Sequence, residues 1–171
     1  MRHFSFFSTA LGLVASLSLF GCSSDDKPAG ATCSGYDYSN YTPGATMYTL
    51  ATDIQPLFSQ SCALSMACHQ TGSTHPPDLG PLTGTTPDAT MLATIATSVR
   101  AASTEATGKS IVVPTKPQDS YMMNKVEDNL CMLSCMGTTT PPCGVKMPQV
   151  GDPLPAADQA KLRDWIAQGA K

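Results

Sequence analysis

Charge and aromatic rings are scarce in this chain. Of its 171 residues only 13% are charged and 6% aromatic, with a single Trp. The formal net charge of −3 leaves no basic face of the kind nucleic acid requires, so no nucleic-acid partner is expected. The GxxxxGK, GxGxxG and GxSxG patterns are missing, which removes the common nucleotide-binding and hydrolase signatures. Nothing pairs a nucleophile with a base, or sets two carboxylates on one face, so the chain does not read as an enzyme. No period-2 strand pattern of any length and no internal repeat occurs. With so few aromatics the core must be small and in need of reinforcement. What is abundant is sulfur: seven Cys and nine Met, beside 14 Pro and 13 Gly. The length suits one compact domain plus a tail.

The N-terminus reads as an address. Arg2 and His3 precede an apolar stretch, Phe4 to Phe20, diluted by Ser5, Ser8, Thr9, Ser16 and Ser18. It is too short and too interrupted for a membrane span and fits an export signal. Leu19-Phe20-Gly21-Cys22 resembles the lipobox of bacterial lipoproteins, which implies cleavage after residue 21 and lipidation of Cys22. Ser23 then points to the outer membrane, with the chain facing the periplasm of the cell envelope. Residues 22–49, rich in Ser, Gly, Thr, Pro and Asp with scattered Tyr, read as a flexible tether. The domain proper is expected over 50–171.

Six cysteines remain besides Cys22: Cys33, Cys62, Cys68, Cys131, Cys135 and Cys143. Outside the cell free thiols seldom persist. Six cysteines allow 15 pairings, and parity does not separate three disulfides from a cofactor plus two. Cys131, Cys135 and Cys143 sit in a stretch with little periodicity and are disulfide candidates by default. Cys33 could join them from the tether.

The rest of the chain predicts short helices and long loops, an all-α class. Asp53 is placed to cap a helix carrying Ile54, Leu57 and Phe58, with Pro56 in its first turn. Thr86-Pro87 is expected to open a second helix with Met91, Leu92, Ile95 and Val99 as its stripe. Ile111 to Pro114 reads as extended, and a third helix is expected over Pro117 to Val126. A final helix from about Ala156 to Gln168 carries Leu162, Trp165 and Ile166, with Gly169 as its stop.

Chemistry concentrates at Cys68-His69 and Met147-Pro148. Covalent haem attachment ordinarily uses C-x-x-C-H, in which two thiols add to the vinyl groups and the adjacent His lies under the iron. A Met from the far side completes the six-coordinate iron of an electron carrier. Several segments together resemble small extracytoplasmic cytochrome c-like domains of the divergent class I c-type family: Asp53-Ile54-Gln55-Pro56-Leu57-Phe58, Cys68-His69, Leu79, and Val113-Pro114-x-x-Pro117-x-x-Ser120-Tyr121-x-x-x-Lys125. The closing Cys143-Gly144-x-x-Met147-Pro148, Leu154 and Trp165 to Ala170 fit them too. The resemblance implies a cytochrome c fold with haem c, its iron ligated by His69 and Met147 and its vinyls attached to Cys62 and Cys68. It also implies single-electron transfer with a redox partner protein, and sets Trp165 near Ile54 and Phe58.

One departure stands out. Five residues, not two, separate Cys62 from Cys68. On a continuous helix the extra three add about 4.5 Å of rise and turn the face by about 60°. Ala63 to Ala67 must therefore bulge outward if both thiols are to serve one cofactor. The same residues admit two other readings. Cys62 and Cys68 could be joined to each other in a haem-free, disulfide-stabilised lipoprotein of the same fold, acting as a structural or interaction module. Alternatively, His75 could complete a Cys₂His₂ zinc set with Cys62, Cys68 and His69.

Overall fold

The computed structural model describes residues 35–133, 135 and 143–171. Cys22 and Cys33 lie outside these residues, as does the 1–21 segment. Four α-helices make up the regular structure: α1 (Gln55–Ser61), α2 (Ala89–Ser98), α3 (Tyr121–Val126) and α4 (Ala156–Ala167). A wide helical turn, Leu50–Ile54, leads into α1, and single tight turns occupy Pro117–Asp119 and Leu130–Met132. Among the described residues there is no sheet, only an isolated bridge between Ala102 and Ser110. The described residues are thus all-α, and none of their helices is long and apolar enough to cross a membrane.

The helix starts differ from expectation in two places. Thr49, not Asp53, caps the first helical segment. Its hydroxyl accepts the Thr52 N–H at 3.2 Å, while the Asp53 carboxylate accepts the Thr49 N–H at 2.8 Å. The two side chains satisfy each other's end of the turn, the reciprocal arrangement of a capping box. At α2 the cap is Asp88, whose Oδ1 accepts the Met91 N–H at 2.8 Å. Thr86 and Pro87 stop short of the helix because Asp88 is the residue with extended backbone immediately before it. The expected third helix is broken at Ser120, which joins the Pro117–Asp119 turn to α3. The Ser120 hydroxyl accepts the Val113 N–H at 2.9 Å and donates to the Lys116 carbonyl at 3.0 Å.

The helix α4 ends as its sequence dictates. The Gly169 N–H reaches the Ile166 carbonyl at 3.0 Å and the Ala170 N–H reaches the Trp165 carbonyl at 2.9 Å. This is a Schellman closure, and Gly169 takes the positive φ (100°) it requires. Ile54, Phe58, Ile95, Val99, Met123, Leu162, Trp165 and Ile166 are buried in one core. The Phe58 and Trp165 rings meet edge-on with centroids 6.3 Å apart. Truncating a fully buried Trp to Ala costs about 3–5 kcal/mol, so Trp165 is a main anchor of this core. Trp165 also donates from Nε1 to the Lys171 carbonyl at 2.9 Å, and that same carbonyl accepts the Leu50 N–H at 2.8 Å.

Residues 35–49, expected in the tether, lie against α4. The Arg163 guanidinium stacks 3.5 Å from the Tyr36 ring centroid, with Tyr38 and Tyr41 at 5.8 and 5.9 Å. Beneath this cage Arg163 pairs with Glu127, Nη2 to Oε1 at 2.6 Å, and both side chains are almost fully buried. Tyr38 donates to the Glu127 carboxylate at 3.0 Å and Tyr41 to Asp164 at 2.7 Å. Gln168 closes the strap by accepting the Tyr48 N–H and donating to the Thr46 carbonyl.

Candidate functional site

The helix α1 stops at Ser61, and the chain beyond it forms one side of the site. Cys62 and Ala63 both direct their N–H to the Phe58 carbonyl at 2.8 Å. Ala63 turns inward and is wholly buried, while Leu64, Ser65, Met66 and Ala67 loop out into solvent. The Cys68 N–H returns to the Ser65 carbonyl at 2.9 Å, and the His69 N–H closes the loop on the Cys62 carbonyl at 3.1 Å. Ser73 braces it by donating to the Cys68 carbonyl at 2.6 Å. Leu64 to Ala67 thus bulge outward, whereas Ala63, expected in the bulge, is drawn into the core because its small side chain fits against the end of α1. Cys62 and Cys68 are free thiols, not joined to each other.

Both thiols line a cavity of about 940 Å³, together with Leu57, Phe58, His69 and Met147. That volume is at the upper end for ligand pockets, which run to about 1,000 Å³. The two cysteines, His69 and Met147 come from two separate segments and line the same cavity.

His69 is half-buried and held in one protonation pattern. Its Nδ1 lies 3.1 Å from the His75 carbonyl and 3.2 Å from the Pro77 carbonyl. Carbonyls only accept, so Nδ1 carries the proton and Nε2 keeps its lone pair in the neutral ring. Burial holds the imidazole below its usual value, against the pull of the two carbonyls. Burial also pushes the Cys62 thiol up to about 12, with Cys68 adding to the effect. The Met147 N–H is fixed to the Lys125 carbonyl at 2.9 Å.

A polar group on the same cavity was not foreseen from the sequence. Lys125, only 6% exposed, places Nζ 2.5 Å from Glu105 Oε2 and donates to the Val145 carbonyl at 2.9 Å. The Tyr121 hydroxyl sits between Glu105 Oε2 (2.9 Å) and the Cys143 carbonyl (2.5 Å) and donates to one at a time. Burial raises the Tyr121 phenol well above its ordinary range, with Glu105 adding to it. The four-residue spacing of Tyr121 and Lys125 marked one helix face. Glu105 carried no local signal.

The Cys₂His₂ reading finds no assembled site: among the described residues no three His, Cys, Asp or Glu side chains converge. His75 serves through its backbone carbonyl. Cys135 and Cys143 form a disulfide, and Cys131 is disulfide-bonded as well. No protein-family model, curated protein or solved structure matches this chain.

The donor set fits a haem. Two unpaired thiols and an imidazole with a free Nε2 lie on one loop, a thioether lies on another, and the wall between them is largely apolar. Soft sulfur and imidazole are the donors iron porphyrin takes. The Glu105 carboxylate at the wall is neutralised by Lys125.

Proposed function

We propose that this chain is a cytochrome c-like electron carrier, with haem c held in the cavity. Cys62 and Cys68 would hold it through thioether bonds, and His69 and Met147 would ligate its iron. The observation that carries the reading is the Cys62–His69 loop: its backbone closure gathers both thiols and an imidazole with Nδ1 already occupied. Bound there, the haem supplies one-electron oxidation and reduction at iron. Nδ1 donation to two carbonyls fixes the His69 tautomer and ring orientation, as second-shell bonds do at metal sites. With His69 and Met147 both holding the iron, the haem would supply electron transfer and no substrate activation.

The proposed setting is the periplasmic side of the cell envelope, with Cys22 lipidated and a redox protein as partner. Some 13 residues join Cys22 to the strap, a reach of at most about 45 Å.

The test is to mature the chain with a haem-attachment system and record the alkaline pyridine spectrum. One covalent haem is expected, and Met147→Ala then opens an iron position and lowers the potential. Purified protein without covalent haem and with a Cys62–Cys68 bridge refutes the reading. The anchor is tested separately: Cys22→Ser should release the protein from the membrane fraction or block processing, and unchanged membrane association and size would refute it.

A further inference from the structure

We propose that Lys125 is the positioning residue for Met147, clamping the Cys143–Met147 segment against the cavity so that the thioether is presented in one place. For the iron this rests on the function proposed above, while the clamp itself is a property of the chain.

The helix α3 holds the segment at every second residue. Tyr121 reaches the Cys143 carbonyl, Lys125 Nζ donates to the Val145 carbonyl, and the Met147 N–H donates to the Lys125 carbonyl. Tyr121 and Lys125, four apart, share one helix face, so both reach the same stretch of chain. Lys125 alone supplies two of the three bonds, one from its side chain and one from its backbone.

An independent observation shows how closely the ion pair presses on the segment. Gly144 has φ +64°, and a Cβ added there would meet Lys125 Nζ at 2.5 Å and Glu105 Oε2 at 2.7 Å. Only a residue without a side chain lets the backbone approach the pair this closely. A buried ammonium is tolerated when paired. Glu105 does this, and the cation over the Tyr121 ring at 5.2 Å adds to it. With its charge paired to Glu105 and one N–H donated to the Val145 carbonyl, Lys125 is turned to the segment and does not compete with Met147.

The full chain, matured with haem, is compared as wild type, Lys125→Ala, Lys125→Arg and Tyr121→Phe. Three quantities are read: the thioether–iron charge-transfer band of the ferric protein, the midpoint potential, and the exchange rate of the Met147 amide. Lys125→Ala should weaken the band, lower the potential and speed exchange by about tenfold, the equivalent of one charge-assisted hydrogen bond. Lys125→Arg, which keeps the charge and donors, should recover most of the loss, and Tyr121→Phe should fall between.

Ile95→Ala, a core truncation outside the cavity wall, should lower stability while leaving band and potential in place. A wild-type band, potential and exchange rate in Lys125→Ala overturns the proposal. If that variant does not fold, wild-type values in Tyr121→Phe overturn it instead. If the wild-type chain takes up no haem, the cofactor reading has failed. The clamp then stands or falls on exchange alone: faster Met147 exchange in Lys125→Ala supports it and equal rates overturn it.

Discussion

Replacing Glu127 by Gln should destabilise the domain far more than an isosteric change at a surface would. The Glu127 side chain is 2% exposed and its partner Arg163 is 7% exposed. Arg163 gives Oε1 two hydrogen bonds, from Nη2 at 2.6 Å and Nε at 3.0 Å, and Tyr38 gives a third at 3.0 Å. Gln keeps the shape and one acceptor oxygen but removes the charge. The guanidinium is then left buried and uncompensated, a loss of about 3–5 kcal/mol when one member of such a pair is removed. The retained acceptor and the Tyr36 stack, the latter about 0.5–2 kcal/mol, offset part of this. A net loss of about 3 kcal/mol is expected, a large share of the roughly 5–15 kcal/mol that holds a typical domain.

Urea unfolding of the disulfide-intact protein measures it. Glu127→Leu combined with Arg163→Met should be less destabilised than Glu127→Leu alone, because no orphan charge remains. A single-variant loss below about 1 kcal/mol, or strict additivity of the pair, would mean that water screens these charges as at a surface and that the strap does not shield them.

Two further outcomes are expected. Replacing both Cys135 and Cys143 by Ser removes a bridge spanning eight residues of sequence. Chain entropy puts its contribution at about 2.5 kcal/mol, read as a lower urea midpoint with little change in slope. In protein without cofactor, Cys62 should alkylate slowly near neutral pH and faster as pH rises, since only the thiolate reacts and its pKa is pushed up to about 12. Mass spectrometry of the labelled peptides checks this, and rapid pH-independent labelling of Cys62 would contradict it.

The sequence was most legible where information is local. The helix α4 has its stripe, its Trp and its Gly stop within a dozen residues, and it forms within one residue of expectation. The bulge after Cys62 was expected from the wide spacing only if both thiols serve one cofactor, and it begins at Leu64 because Ala63 is buried. Caps were misread because several hydroxyl and carboxylate residues precede each helix, and backbone conformation decides which one reaches the first amides. The strap escaped notice because Tyr36, Tyr38 and Tyr41 lack aliphatic neighbours. Their stacking depends on Arg163, more than 100 positions along the chain, and no periodicity reports that. Glu105 was invisible for a related reason. It reaches Lys125 only because the turn around the Ala102–Ser110 bridge folds back beside α3.

The His69–Cys62 backbone bond has a consequence for how the loop between them can vary. The positions of the two ends are set by main-chain hydrogen bonds, and Leu64 to Ala67 are exposed. The intervening residues therefore act as closure, and closure is insensitive to length: doubling a flexible loop costs only about 0.6 kcal/mol. An insertion at Ser65 or Met66 would break the turn bonds from Ala67 and Cys68 to Ser65, about 1 kcal/mol each, while leaving the His69–Cys62 closure in place. Substituting Ala63, which fills the core behind the bulge, would be felt at once. The exposed turn between the thiols is in this sense the adjustable part of the chain, and the buried Ala63 is its fixed point.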